Sequence, residues 1–580
     1  MRSTVLSALL AALLAVALLA TLVPLEGFWI TDDANRFIQT ANFAAHARVD
    51  IVHPGGRFDP AGRHVPLGGH HFQRRDGRLY SFYPFVFPLL AWPLYALAGT
   101  PGLYVLPVLG FAACAALLAL GLVQRDVSPR HAPWLAVALT SSTPLVFYAL
   151  TFWEHTLAAG LFAGGTWLAF RAGRLLHAGF GSWAGAGALL GAATVLREEG
   201  YVLTAAFALG WAVSRPGRRS ALWGILAGWT TVLLPWWAVN LSLFGNPLGL
   251  HAAVYAALPG PPDVFNAAGR LTDTVRAVWV YLLQWHPDWR WAVAGSLPLV
   301  FAVFAGLAAT PGARTWWLRI GALALAAAGC ATLTTLTLLD PAPLAGTLYR
   351  QSLLPGVPVA ALVLVSARSL WKSGTPASRC LLALCAAGVG GLCLSLRTAD
   401  MGIIWGPRHF LMLVPALLIL AWEAAEALTR EAPGRGARNL ARGLIATLLG
   451  IGLLLQAHGI GLLAARKRAT RDLAAAVTAM RPAAVVTDVF WVPEELAAIY
   501  LSTPVFDAAD DAGVAEVLDR VDTDTPGAIV VLALSPRFSR LRETDLPDGA
   551  EIVARLRART PRVEFLELVL YACRLHPNRL

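Results

Sequence analysis

The chain has 580 residues, 57% of them hydrophobic and only 14% charged, with a formal net charge of +11. That balance exceeds what a soluble domain of this size carries and marks a polytopic membrane protein. The basic excess does not indicate nucleic-acid binding. Among the 46 basic residues only Lys372 and Lys467 are lysines, as GC-rich codon usage explains, and the arginines lie in short loops between apolar runs. The six cysteines, Cys114, Cys330, Cys380, Cys385, Cys393 and Cys573, sit mostly in apolar segments without CxxC or Cys/His spacing, so neither a disulfide framework nor a zinc site is expected.

The first apolar run, Ser3 to Pro24, follows Arg2 as a secretory signal would. No small-x-small cleavage site with a soluble domain behind it appears, so the run reads as a retained first span. About 20 apolar residues cross a bilayer. Thirteen such windows occur, near residues 4–24, 102–123, 132–150, 153–170, 183–196, 200–214, 221–240, 291–309, 317–339, 353–370, 380–396, 410–429 and 443–464. The pair at 183–214 is short, and its turn is expected to dip below the headgroups.

The apolar segment "YPFVFPLLAWPLYALAG", Tyr83 to Gly99, carries Pro84, Pro88 and Pro93 and decides the topology. If it only dips in or lies at the interface, the Arg-rich turns "QRDVSPRH", "RAGRLLH", "SRPGRRS" and "TREAPGRGARNLAR" all fall on the amino-terminal, cytoplasmic side, as the positive-inside rule favours. The external face then collects the acidic loop after the first span, "TFWEHT", "LREEG", the long loop ending at Arg290, and "IIWGPRHF". Residues 1–464 form the membrane domain, with 25–101 and 241–290 as its large external loops.

In the first loop, "GFWITDDANRFIQTANF" places Asp32 and Asp33 side by side at a membrane edge. Ala34, Phe37, Ile38, Ala41 and Ala45 recur at helical spacing opposite Asn35, Arg36, Gln39 and Asn42, which predicts an amphipathic helix along the interface. Thr31, Asp32 and Asp33 would cap it, but one cap position uses one side chain, leaving the second carboxylate to be accounted for.

Glu154 and His155 in "TFWEHT" read either as a metal or proton-transfer pair or as a polar turn with Trp153 at the headgroups. Arg197, Glu198 and Glu199 interrupt two short apolar runs, where ionisable residues are costly and face internal cavities unless they simply neutralise one another at the turn. Arg408 and His409 follow a Gly-Pro break, and a guanidinium there suits a lipid phosphate or snorkels to the headgroups. His251, Tyr349 and Arg350 are weaker candidates of the same kind, and "WHPDW", Trp285 to Trp289, reads mainly as an aromatic belt.

After Ala465 the composition turns polar and periodic. Strands are expected at "AAVVTDVFW", "TPVFDA", "AIVVLAL" and "VEFLELVLYACRL", and helices near Pro493 to Tyr500 and Gly513 to Val521. Residues 465–580 read as a small α/β domain, extracytoplasmic after thirteen spans, without a GxGxxG or P-loop.

In order, "TDDANRF", "YSFYPFVFPLLAWPLYALAG", "TPLVFYALTFWEHT", "GALLGAATVLREEG", "NLSLFGNPLG" and "WGPRHFLMLVPALL" resemble the GT-C type integral-membrane glycosyltransferases, the group that includes protein O-mannosyltransferases and lipid A aminoarabinose transferases. The resemblance implies a multi-spanning helical enzyme of the bacterial cytoplasmic membrane. It would transfer a sugar, with inversion, from a polyprenyl-phosphate donor to a glycan, lipid or protein acceptor on the outer face. It also implies that an Asp of the first external loop is the general base. The matching positions are Asp32 and Asp33, with Asp32 preferred and Asp33 orienting the acceptor or holding a metal. The family's pair is usually Asp-Glu, so Asp-Asp departs from it.

A leaving lipid phosphate needs cationic donors and no general acid. Arg408 is the first candidate for that contact, Arg197 the second and His409 a further one. Glu154 and His155 would complete an acceptor or metal site, a divalent metal being a candidate cofactor, with Glu198, Glu199, Tyr83 and Arg350 in support. The competing reading is a transporter or flippase for the same lipid, but no internal repeat of two halves is found. The enzyme reading predicts that Asp32, Glu154, Arg197 and Arg408 line one cavity.

Overall fold

A computed structural model describes the chain apart from residues 1, 66–70, 175–178, 215–218, 258–266, 309–312, 344–346, 348–349, 396–402, 490, 509, 541–550, 561–562 and 575–580. Tyr349 lies outside the described residues. Among them, eight helices are long and apolar enough to cross a membrane: Arg2–Ala20 (α1), Thr100–Val123, Ser220–Phe244, Trp289–Gly306, Thr315–Leu338, Pro376–Ser395, Arg408–Arg430 and Arg435–Met480. The remaining five apolar windows fall on shorter or interrupted helices: Ala132–Ser141 with Leu145–Ala149, His155–Ala172, Phe180–Leu196, Glu199–Ser214, and Leu353–Gly356 with Ala360–Ser373. The result is a multi-spanning helical bundle carrying a small carboxy-terminal α/β unit.

Local chemistry sets the breaks. Pro144 cannot donate to a helical carbonyl, so the helix from Ala132 stops at Ser141 and resumes at Leu145. Thr140, Ser142 and Thr143 turn their hydroxyls back onto the carbonyls of Ala136, Leu139 and Thr140, each at 2.7 Å, which keeps backbone groups satisfied away from water. Gly110 lets His155–Ala172 approach Thr100–Val123 closely, since a Cβ there would lie 2.3 Å from the Leu157 nitrogen. The proline-rich segment forms a 13-residue helix, Val86–Ala98, too short for an upright crossing, with Leu89, Leu90 and Leu97 exposed.

The expected amphipathic helix forms at Thr31–His46 (α2), but it does not lie with its polar side in water. Asn35, Arg36, Gln39, Thr40 and Asn42 are all buried. Asn42 donates to the carbonyls of Arg48 and Asp50, and Gln39 donates to Ser81. The loop folds over the polar face and supplies the partners that water would have given. It contains a hairpin, Phe72–Arg75 (β1) antiparallel to Arg78–Ser81 (β2), closed by Asp76-Gly77 with both residues at positive φ, a two-residue turn signal that the sequence reading passed over.

In the carboxy-terminal unit the strands are Ala484–Thr487 (β3), Val505–Asp507 (β4), Ile529–Leu534 (β5), Glu551–Thr560 (β6) and Val563–Arg574 (β7), in the order β4-β3-β5-β7-β6. β4, β3 and β5 run parallel, while β7 pairs antiparallel with β5 and β6. β6 was not expected from the sequence, because arginines at alternate positions mask its period. Helix Asp511–Asp524 covers one face of the sheet through Val514, Val517, Leu518 and Val521, and Phe58 of the first loop enters the same core. Leu473 and Val477, near the end of Arg435–Met480, cover the other face. That 46-residue helix passes position 465 without a break. All six cysteines are buried, and none is in a disulfide.

Candidate active site

The two adjacent aspartates divide the work at the start of α2. Both Asp33 oxygens accept backbone N–H groups, from Trp29 at 3.0 Å and Ile30 at 2.9 Å, so Asp33 closes the free end of the helix. Its carboxyl is pushed up to about 6, chiefly by burial, against those two hydrogen bonds. Asp32, one residue earlier, points into a cavity of about 490 Å3. Asp33, expected to orient an acceptor or hold a metal, has each oxygen on a backbone N–H group and is not among the residues that line the cavity.

Asp32 accepts a hydrogen bond from the Tyr83 hydroxyl on one oxygen and one from Arg408 Nη1 at 3.0 Å on the other. Burial alone would raise its carboxyl, but Arg408, then Arg36 and the Tyr83 hydroxyl, outweigh burial and hold it below the ordinary carboxylate value. The Tyr83 hydroxyl is pushed well above its usual value, first by burial and then by the Asp32 charge, so it stays a donor. Tyr83 stacks on His71, with ring centroids 5.8 Å apart and planes 15° from parallel.

One helical turn past Asp32, Arg36 sends a two-point ion pair to Glu154, with Nη2 to Oε1 at 2.7 Å, and donates Nη1 to the Asp32 carbonyl at 2.9 Å. Its guanidinium lies 4.6 Å from the Tyr83 ring centroid. Arg197, at the turn between Phe180–Leu196 and Glu199–Ser214, reaches Glu154 at 3.1 Å with Nη1 and gives Glu199 a two-point contact with Nε and Nη2. His409 Nδ1 lies 2.6 Å from Glu199, so Nδ1 carries the proton and Nε2 accepts from Arg408 Nε at 3.4 Å. His251 Nδ1 meets Glu198 at 3.0 Å.

Arg408 owes its position to the turn before it. Gly406 has φ +70° and packs on Pro144, 2.4 Å from where a Cβ would sit, and its N–H donates to the Arg350 carbonyl at 2.8 Å. Arg350 itself is buried, paired with Asp340, and donates to the Pro343 carbonyl, so it serves the site only through its backbone. His155, expected to share an acceptor or metal site with Glu154, is buried among Tyr148 and Trp153 and is not among the residues that line the cavity.

Asp32, Tyr83, Glu154, Arg197, Glu198, Glu199, Arg408 and His409 thus line one cavity, while Asp33, His155 and Arg350 do not. Sequence reading missed Arg36 and Tyr281 as lining residues and Glu494 as a neighbour. Arg36 was signalled by its i,i+4 spacing from Asp32. Glu494 comes from the carboxy-terminal unit, in the turn Val492–Glu495, is buried, and lies 3.7 Å from His71 Nε2. Burial first, then the charges of Asp32 and Glu495, push its carboxyl well above the ordinary range.

A divalent cation is a poor match for these residues. Glu154 and Glu199 are bound to guanidinium groups and Asp32 faces Arg408, and among the described residues no group of three or more His, Cys, Asp or Glu is arranged to hold a metal.

This bundle with its carboxy-terminal sheet unit has a GT-C-like fold, that of integral-membrane glycosyltransferases. Two solved structures match over 97% of this chain and 97% of their own: ArnT from Cupriavidus metallidurans bound to undecaprenyl phosphate (13% identity, TM-score 0.53) and the same protein in the apo state (12% identity, TM-score 0.54). No family model and no curated protein matches the chain.

Proposed function

We propose that this protein is an inverting glycosyltransferase that moves a sugar from a polyprenyl-phosphate donor to an acceptor hydroxyl on the external face of a bacterial cytoplasmic membrane. The observation that carries the reading is the approach of Arg408 Nη1 to Asp32 at 3.0 Å at the wall of a cavity large enough for a sugar phosphate. A carboxylate and a guanidinium side by side are what attack by a hydroxyl and departure of a phosphate require. The ArnT structure with undecaprenyl phosphate supports a donor of this class.

In the proposed reaction the acceptor oxygen attacks C1 and its proton passes to Asp32. The C1–O bond to phosphate breaks and its electron pair leaves with the phosphate oxygen. A single displacement of this kind inverts C1. Arg408 suits the phosphate better than Arg197. Arg197 spends Nε, Nη1 and Nη2 on Glu154 and Glu199, whereas Arg408 commits only Nη1 to a carboxylate. Glu154 positions Arg36 and Arg197, and Glu199 positions His409.

The orientation is supported by the bundle itself. His155–Ala172 and Arg408–Arg430 both begin at the cavity and run toward Arg-rich ends, where Arg125 pairs with Glu423 at 2.6 Å and Arg174 meets Gln124 at 2.7 Å. By the positive-inside rule those ends are cytoplasmic and the cavity is external, with the amino terminus inside and residues 465–580 outside.

Membranes containing the protein, supplied with a panel of radiolabelled polyprenyl-phosphate sugars, should release label to an acceptor. Asp32→Asn should abolish release while the protein still inserts and folds; retained transfer would remove Asp32 as the base.

A further inference from the structure

The groups assigned to proton removal and to phosphate binding are bound to each other. Asp32 gives one oxygen to the Tyr83 hydroxyl and the other to Arg408 Nη1. A carboxylate held this way is a weak base, because the lone pairs nearest the cavity are occupied and the adjacent positive charge favours the ionised form. Arg408 cannot present either two-point fork to a lipid phosphate while Nη1 is on Asp32 and Nε is on His409 Nε2. A phosphate carries more charge than a carboxylate and matches the planar fork at two points.

Arg408, though held at its backbone by the turn, can reorient about its side-chain torsions. It follows the Gly406-Pro407 break at the start of a helix, and its guanidinium is 5.6 Å from the Trp153 ring centroid, an aromatic face that tolerates the cation on either side of such a shift. We propose that Arg408 masks Asp32 until a polyprenyl phosphate draws the guanidinium away, so that donor binding switches on the base. The inference rests on the function proposed above and adds a compulsory order, donor before acceptor.

The proton accounting closes. With donor bound, Arg408 faces the phosphate and Asp32 keeps only the Tyr83 hydrogen bond. The acceptor proton moves to Asp32 as C1 changes partners, leaving a neutral carboxyl and a phosphate held by Arg408. When the lipid phosphate departs, the returning guanidinium favours the carboxylate, and Asp32 releases its proton to water. The other groups that act on Asp32 are Arg36 and Asp33 on α2, Tyr83 and His71 from the first loop, Glu494 from the carboxy-terminal unit and Tyr148 from Leu145–Ala149. Arg36 stays fixed by Glu154 on both sides of the switch.

The test is carbodiimide labelling of the purified full-length protein in detergent across pH, with each aspartate read by mass spectrometry, with and without undecaprenyl phosphate. Binding of the lipid is measured separately with radiolabel. The labelling midpoint of Asp32 should rise by about one pH unit or more when the lipid binds, the size of a lost neighbouring charge. Asp33, whose oxygens are on backbone N–H groups, should not move and serves as an internal control. Arg408→Gln should start at the raised midpoint and show no further shift. Binding without any shift of Asp32 in the wild-type protein overturns the switch and leaves the proposed function standing. Absence of binding removes the donor assignment itself, and the switch with it.

Discussion

Asp32 and Asp33 are adjacent in the chain and face opposite ways: Asp33 turns both oxygens onto the N–H groups of Trp29 and Ile30, and Asp32 turns toward Arg408 across the cavity. The pair therefore separates into a residue that holds the helix and one that lines the cavity, the one to which the proposed function assigns the proton. Substituting Asp33 by Ala should cost about 0.5–2 kcal/mol of stability, the usual range for a helix cap. Any loss of transfer should scale with the fraction unfolded. Asp32→Asn leaves Arg408 without its counter-charge and should lower the melting temperature, but it should abolish transfer in the fully folded fraction as well. Thermal melting in detergent beside a transfer assay separates the two.

The Arg36–Glu154 pair is buried on both sides, with side chains 3% and 2% exposed. Removing Arg36 leaves Glu154 with Arg197 alone and strips it of a two-point contact, so Arg36→Met should destabilise the protein by about 1–3 kcal/mol. Arg36→Lys should rescue little, because an ammonium cannot make the two-point contact. Arg36→Met combined with Glu154→Leu should recover much of the stability and none of the activity. A double-mutant cycle by thermal melting measures this.

Gly406 holds a positive φ against Pro144. Gly406→Ala places a Cβ where none fits and should cost about 1–3 kcal/mol through local strain. Because the turn aims Arg408, the KM for the lipid donor should rise more than the KM for the acceptor. Initial-rate kinetics with each substrate varied in turn would show the split, and equal effects would detach the turn from the donor site.

Glu494 gives a pH signature. Burial, with Asp32 and Glu495 nearby, raises its carboxyl above its unfolded value, so the folded chain binds a proton that the unfolded chain releases. Its contribution to stability is complete below the unfolded value and is lost as pH rises through the folded one. Glu494→Gln keeps the neutral shape and removes the proton linkage. The variant should match wild type near pH 4 and melt a few degrees higher at pH 8, and melting curves at the two pH values check it.

Much of the fold was legible because lipid imposes a simple rule. The apolar windows became helices, two of them interrupted, and the continuous apolar run of β5 marked a buried strand. What the sequence concealed were polar residues whose partners are distant in the chain. Arg36 read as the wet side of an interfacial helix because Glu154, 118 positions away, was not visible as its partner. His155 read as a ligand because adjacency to Glu154 suggested shared purpose, yet a step of one residue at a helix start turns the ring into the aromatic packing of Tyr148 and Trp153. β6 was hidden by its arginines, and Glu494 by lying in a unit that showed no catalytic motif.

The helix Arg435–Met480, about 69 Å long at 1.5 Å per residue, joins the bundle to the sheet without a hinge. On its way it donates from Arg466 to the Trp29 carbonyl at 3.3 Å and accepts the Phe28 N–H at Thr470, 2.9 Å away, just before the residues that carry Asp32. A rod with that fastening has little freedom to swivel. The carboxy-terminal unit is therefore tied through this helix to the backbone that leads into Asp32, and a load on the sheet is felt at the start of α2.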